Sequence, residues 1–189
     1  MSVNGEPRLG MQRQHLYFKE RLSDFLTASR LLIGLVILSL SFIGKDAYLA
    51  VVILVIIGGI TDIFDGRAAR HYLGDNREGK LGKYDMEIDT FMVFCTLAYL
   101  SLSEIVIPRL AGLGWIALAL IVIFACKRKT KVVLSFEIPS ILALIVIAAL
   151  YDLRLFAITA LPALCAGTAI NYKRIRYLLF DYFPKIFSR

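Results

Sequence analysis

Histidine, cysteine and tryptophan are scarce in this 189-residue chain, which has two, three and one of them. His15 and His71 stand alone, and Cys95, Cys126 and Cys165 show neither CxxC nor Cys/His spacing. A zinc centre or a redox dithiol is therefore not the organising chemistry. The cysteines fall inside or at the ends of apolar runs, where they read as small apolar side chains. Internal repeats and low-complexity linkers are also missing, and the length points to one domain. The first 24 residues are polar and charged, without the apolar core of a signal peptide. The first apolar run, from Phe25, is accordingly expected to be a retained anchor.

What is abundant is apolar sequence. The chain is 58% hydrophobic with a mean hydropathy of +0.70, against about 45–50% apolar residues in soluble domains. The apolar residues come in six blocks, roughly 25–44, 47–64, 86–106, 108–126, 132–151 and 153–172. Each is near the ~20 residues that carry a helix across a bilayer. The pattern predicts an all-α integral membrane protein, a bundle of six transmembrane helices. Residues 1–24 would form a cytoplasmic arm, interfacial and helical, 25–172 the membrane domain, and 173–189 a basic, aromatic tail along the membrane surface.

Lysine and arginine fix the expected orientation. They crowd the N-terminal arm (Arg8, Arg13, Lys19, Arg21), the loop after the second block (Arg67, Arg70, Arg77, Lys80, Lys83), the KRKTK turn at Lys127–Lys131 and the C-terminal tail. The alternate loops hold only Lys45, Arg109 and Arg154. By the positive-inside rule both termini and the acidic loop after the second block face the cytoplasm, and the expected location is the inner (cytoplasmic) membrane of the cell. The net charge of +7 then reflects this bias and attraction to anionic headgroups. Nucleic acid is not expected as a partner, since the basic residues lie in short segments beside the apolar blocks.

Against this background the stretch DIFDGRAARHYLGDNREGKLGKYDMEID, Asp62 to Asp89, stands out. It places Asp62, Asp65, Asp85 and Asp89 at the cytoplasmic ends of the second and third blocks, where carboxylates are costly unless they bind something. If the second helix continues past Asp62, a step of ~100° per residue puts Asp62, Asp65, Gly66, Ala69 and Arg70 on one arc. That arc combines two carboxylates, two minimal side chains that let a ligand approach, and a guanidinium suited to phosphate. Asp85 and Asp89 share a face of the third helix. Four hard oxygen donors suit Mg2+ or Mn2+, completed by substrate phosphates. The bland alternative makes Asp62 and Asp65 an interfacial helix end, and Asp85 an N-cap with Glu87 and Asp89 favouring the helix dipole.

The pattern D62-x2-D65-G66-x2-A69-R70, with Gly82 and then D85-x3-D89, resembles the signature of the CDP-alcohol phosphatidyltransferase family. The loop from Arg70 to Asp85 is longer than the usual one by about two residues, and Gly82 precedes Asp85 by two intervening residues rather than three. The resemblance implies transfer of a phosphatidyl group from a CDP-lipid such as CDP-diacylglycerol to a small polar alcohol, with release of CMP. It implies that Asp62, Asp65 and Asp85 hold metal, in a site of two Mg2+ or Mn2+ ions. Gly66, Ala69 and Arg70 would line the CDP site. Asp89 would be the general base and also touch metal, and a homodimer is implied. Competing readings are a prenyl-diphosphate transferase, a cation transporter or a non-catalytic homologue.

Other residues point to the acceptor. Leu26-Thr27-x2-Arg30 resembles an LTxxR element of several family members, and Arg30 either faces the site or snorkels to the headgroups. Lys127-x-Lys129-Thr130 resembles the GKxKTxxQ element of bacterial phosphatidylglycerophosphate synthases, with Cys126 in place of the glycine and Val133 in place of the glutamine; it is either a phosphate contact for a phosphorylated acceptor such as glycerol 3-phosphate or a positive-inside stop signal. Glu137, beside Pro139 in the fifth block, either lines an acceptor cavity or pairs with Arg30.

Overall fold

The computed structural model describes residues 25–72, 84–170 and 172. The arm 1–24, the loop 73–83 and the tail 173–189 lie outside the described residues, and so do the readings placed on them. Among the described residues every regular element is helical. Helix α1 (25–39) is followed by 3-10 turns at Leu40–Phe42 and Gly44–Ala47, then α2 (Tyr48–Tyr72), α3 (Asp85–Leu102), α4 (Arg109–Ala125) and α5 (Thr130–Tyr151). Helix α6 runs over Leu153–Ile170.

The six helices coincide with the six apolar blocks. Four segments are long and apolar enough to cross a membrane: Phe25–Phe42, Gly44–Asp62, Thr130–Tyr151 and Leu153–Ile170. Helix α4 has 17 residues, about 25 Å at 1.5 Å per residue and short of a ~30 Å hydrocarbon core. Helix α3 is long enough but carries Asp85, Glu87 and Asp89 in its first five residues. Outward positions such as Phe42, Leu110, Ile121, Leu142 and Leu150 are exposed, a surface that lipid covers at no cost and water does not.

The chain divides into two compact units, Met1–Tyr151 and Asp152–Arg189. In the first, α1 and α2 form a hairpin. Gly44, at φ 79°, makes the bend in the left-handed region, and the buried Tyr99 hydroxyl donates to its carbonyl at 2.8 Å. Helix α3 lies along this hairpin. A Cβ on Gly58 would come within 2.6 Å of the Met92 sulfur, and one on Gly34 within 3.2 Å of the Phe91 ring. These two glycines are what let α3 approach both helices, with its Asp89 end at the Arg30–Asp62 end of the hairpin.

Helices α4 and α5 cover another side of α3. Val93 and Phe94 pack with Ala119, Ile123 and Val133, and Met86 and Phe136 close the cluster. The Trp115 indole donates to Ser140 Oγ at 3.0 Å, and Ser140 donates to the Phe136 carbonyl. Pro139 sits inside α5 without ending it; it removes one backbone donor from an otherwise continuous helix. Thr96, Ser101 and Ser135 each donate to the carbonyl four residues back, the usual way to satisfy a hydroxyl on an apolar helix.

The turn from α4 to α5 is tight. Arg128 N–H donates to the Ile123 carbonyl and Lys127 N–H to that of Phe124, the paired bonds of a Schellman cap. Lys127 (φ 54°) and Arg128 (φ 53°) are left-handed without being glycine. Met86, in the first turn of α3, packs on the cluster containing Ile123 and Val133, so this turn lies at the Asp85 end of the bundle.

In the second unit Asp152 caps α6 by accepting from Leu155 N–H at 2.9 Å. A π turn at Phe156–Ala160 precedes Pro162. The wider turn accommodates a ring that would otherwise meet the carbonyl four residues back.

Candidate functional site

The polar centre of the first unit is Arg30. Its side chain is 0% exposed on an apolar helix, a position tolerated only when the charge is paired. One guanidinium nitrogen, Nη1, donates to Asp62 Oδ1 of α2 at 3.1 Å and to Asp89 Oδ1 of α3. The other, Nη2, makes a long contact of 3.5 Å to Thr27 Oγ1, one turn earlier on α1. Three helices thus meet through one cation. The guanidinium does not snorkel, and among the described residues its carboxylate partners include Asp62 and Asp89, while Glu137 meets Thr90.

The two carboxylates are more open than the arginine beneath them, at 48% exposure for Asp62 and 27% for Asp89. The site therefore has a floor of buried positive charge and a rim of carboxylates that a ligand can reach. Helix α2 continues unbroken through Asp62–Arg70 to Tyr72, as the one-arc reading of Asp65, Gly66, Ala69 and Arg70 requires. Asp85 is the first residue of α3, after an N-cap at Tyr84 that makes no side-chain hydrogen bond. The side chains of Asp65, Ala69, Arg70 and Asp85 lie outside the described residues. Among the described residues no three metal-ligating side chains gather, since only two of the four aspartates are described with their side chains.

Glu137 comes to the same place from α5. Its Oε2 accepts from Thr90 Oγ1 at 3.1 Å, and Thr90, itself buried, directly follows Asp89. The same hydroxyl also lies 2.9 Å from the Met86 carbonyl, which fixes it against α3. Sequence reasoning passed over Thr90. The only signal available was a hydroxyl adjacent to Asp89 in an apolar helix, and nothing in the sequence reveals a partner 47 residues away. Lys127 and Lys129 are exposed on the α4–α5 turn, and Arg128 between them lies over the Phe124 ring at 5.3 Å.

A family model described as CDP-alcohol phosphatidyltransferase matches residues 21–170, which include every element of this site. The chain belongs to the CDP-alcohol phosphatidyltransferase family. No curated protein and no solved structure matches it. Membership in this phosphatidyltransferase family makes the chain a transferase of phospholipid biosynthesis, acting on a CDP-alcohol and an alcohol acceptor. Together with the four apolar helices it makes the chain a membrane protein. The family is generally dependent on divalent metal. The donors of this CDP-alcohol phosphatidyltransferase fit such an ion: they are carboxylate oxygens, and α2 and α3 bring two of them against a single cation.

Proposed function

We propose that the protein transfers a phosphatidyl group from CDP-diacylglycerol, or a closely similar CDP-lipid, to a small polar alcohol and releases CMP. The observation that carries this reading is the convergence of Asp62 and Asp89 on Arg30 within the span matched by the family. Asp62, Asp65, Asp85 and Asp89 would hold two Mg2+ or Mn2+ ions. When bound, these ions neutralise the diphosphate and stabilise the departing CMP. Gly66 and Ala69 leave room for the nucleotide, and Arg70 offers its fork to the diphosphate.

Asp89 takes the proton of the acceptor hydroxyl. The hydroxyl oxygen bonds to the lipid-bearing phosphorus as the phosphorus–oxygen bond to CMP breaks. Glu137, held by Thr90, orients the acceptor from the α5 side. Lys127 and Lys129, at the same end of the bundle, receive its phosphate, which makes glycerol 3-phosphate the first acceptor to test. Arg30, first read as an acceptor contact, is engaged beneath Asp62 and Asp89, and we place it as their support. The six helices form six spans with both termini and the site on the cytoplasmic side of the inner membrane, and the protein works as a homodimer. Residues 1–24 and 173–189 lie on the membrane surface.

The test incubates purified protein with CDP-diacylglycerol, Mg2+ and a panel of alcohols, and identifies the lipid product. CMP release that requires both metal and acceptor, and stops with EDTA, is expected. A protein that binds metal but releases no CMP with any acceptor would sink the catalytic reading. Thr90→Val should raise KM for the acceptor about tenfold, the value of a lost hydrogen bond to a charged group, and leave KM for CDP-lipid unchanged. An equal rise in both would move Glu137 out of the acceptor pocket.

A further inference from the structure

Asp62 and Asp89 are open to ligands, but Arg30 is not. It is a fully buried cation whose single Nη1 serves carboxylates on two different helices. We infer that Arg30 is the resident counter-cation of the carboxylate cluster, holding Asp62 and Asp89 together and weakening the affinity of that cluster for divalent metal. The inference rests on the proposed metal-dependent reading of the site and adds a function for a residue buried beneath its carboxylates.

Two carboxylates drawn together by one nitrogen repel each other once that nitrogen is gone, so Arg30 offsets that repulsion where α2 and α3 meet at Asp62 and Asp89. A divalent cation held by the same carboxylates feels the guanidinium as a like charge at short range in a poorly screened place. Thr27, one turn earlier on α1 and also fully buried, makes a long contact of 3.5 Å to the guanidinium, whose side chain is itself fully buried beside the carboxylates. An arginine is suited to this because it stays charged at every accessible pH and its planar fork is fixed by few contacts.

The experiment measures Mn2+ binding to the detergent-solubilised full chain by electron paramagnetic resonance, together with thermal unfolding in EDTA and in Mn2+. Arg30→Gln should bind Mn2+ on the order of tenfold more tightly than the unaltered chain. It should unfold at a lower temperature in EDTA and recover when Mn2+ is added, and Arg30→Lys should restore the original Mn2+ affinity. A purely structural arginine would lower stability in both media and would not tighten metal binding. Unchanged or weaker Mn2+ binding by Arg30→Gln, with normal binding by the unaltered chain, would overturn this inference and leave the proposed function intact. Absence of Mn2+ binding by the unaltered chain would overturn both. Should Arg30→Gln not fold in EDTA, it is prepared and its Mn2+ affinity measured with Mn2+ present throughout, and unfolding in EDTA is read on the double variant with Asp62→Asn against Asp62→Asn alone. Removing one of the two repelling carboxylates should let it fold, and failure to do so would show that Arg30 supports the fold by other means.

Discussion

Replacing Asp89 with asparagine is expected to reduce CMP release by at least ~10²-fold, the lower range for loss of a general base, while leaving a folded protein that binds CDP-lipid. Asparagine keeps the oxygen that accepts from Arg30 Nη1, so the link between α1 and α3 survives. What it loses is the second carboxylate oxygen's charge and the capacity to take a proton from the acceptor. The measurement compares CMP release, CDP-lipid binding and Mn2+ binding for Asp89→Asn and Asp62→Asn side by side. Asp62→Asn should weaken Mn2+ binding more than Asp89→Asn does, since Asp62 is assigned to metal alone. Retained turnover in Asp89→Asn would remove the base assignment. A loss of Mn2+ binding equal to that of Asp62→Asn would make Asp89 a ligand first.

The residues of that comparison also show what a sequence can reveal about such a site. Helix positions were legible because an apolar block of membrane length has one stable backbone in lipid, and all six blocks became helices. Continuation of α2 past Asp62 was legible for a related reason, since DIFDGRAAR contains no proline and only one glycine. Partner identity was not. Arg30 meets Asp62 and Asp89 from 32 and 59 residues away, and apolar helices of low amphipathicity give little indication of which faces meet. The two readings of Arg30, snorkelling or facing the site, differed by a rotation of α1 that only the packing of α2 and α3 decides. Glu137 illustrates the same limit: a carboxylate inside an apolar helix announces a partner, and Arg30 offered the opposite charge, yet the geometry supplied the Thr90 hydroxyl. The π turn at Phe156–Ala160 was likewise unannounced, although Pro162 supplies its cause after the fact.

The packing that decided those questions makes the strongest stability prediction. Gly112, in the first turn of α4, faces Ser101 near the end of α3. A Cβ at this position would overlap Ser101 Oγ and lie 2.8 Å from Ser101 Cβ. Turning the serine hydroxyl away would clear the first overlap at the expense of its bond to the Leu97 carbonyl. It cannot clear the second, because Ser101 Cβ is set by the backbone of α3. Gly112→Ala must therefore push α3 and α4 apart, costing about 1–3 kcal/mol for overpacking and about 1 kcal/mol for the strained hydroxyl. Better helix propensity returns up to ~1 kcal/mol, for a net loss of about 2 kcal/mol. Gly114, two residues on in the same helix, meets nothing within 4 Å, and alanine there should stabilise by up to ~1 kcal/mol. Unfolding of the two variants in the same detergent separates the effects of contact from those of propensity. Equal stability would mean that α3 and α4 do not cross closely at Ser101. A selective loss at Gly112 would confirm the crossing that seats α3, and with α3 the carboxylate of Asp89, against the rest of the bundle.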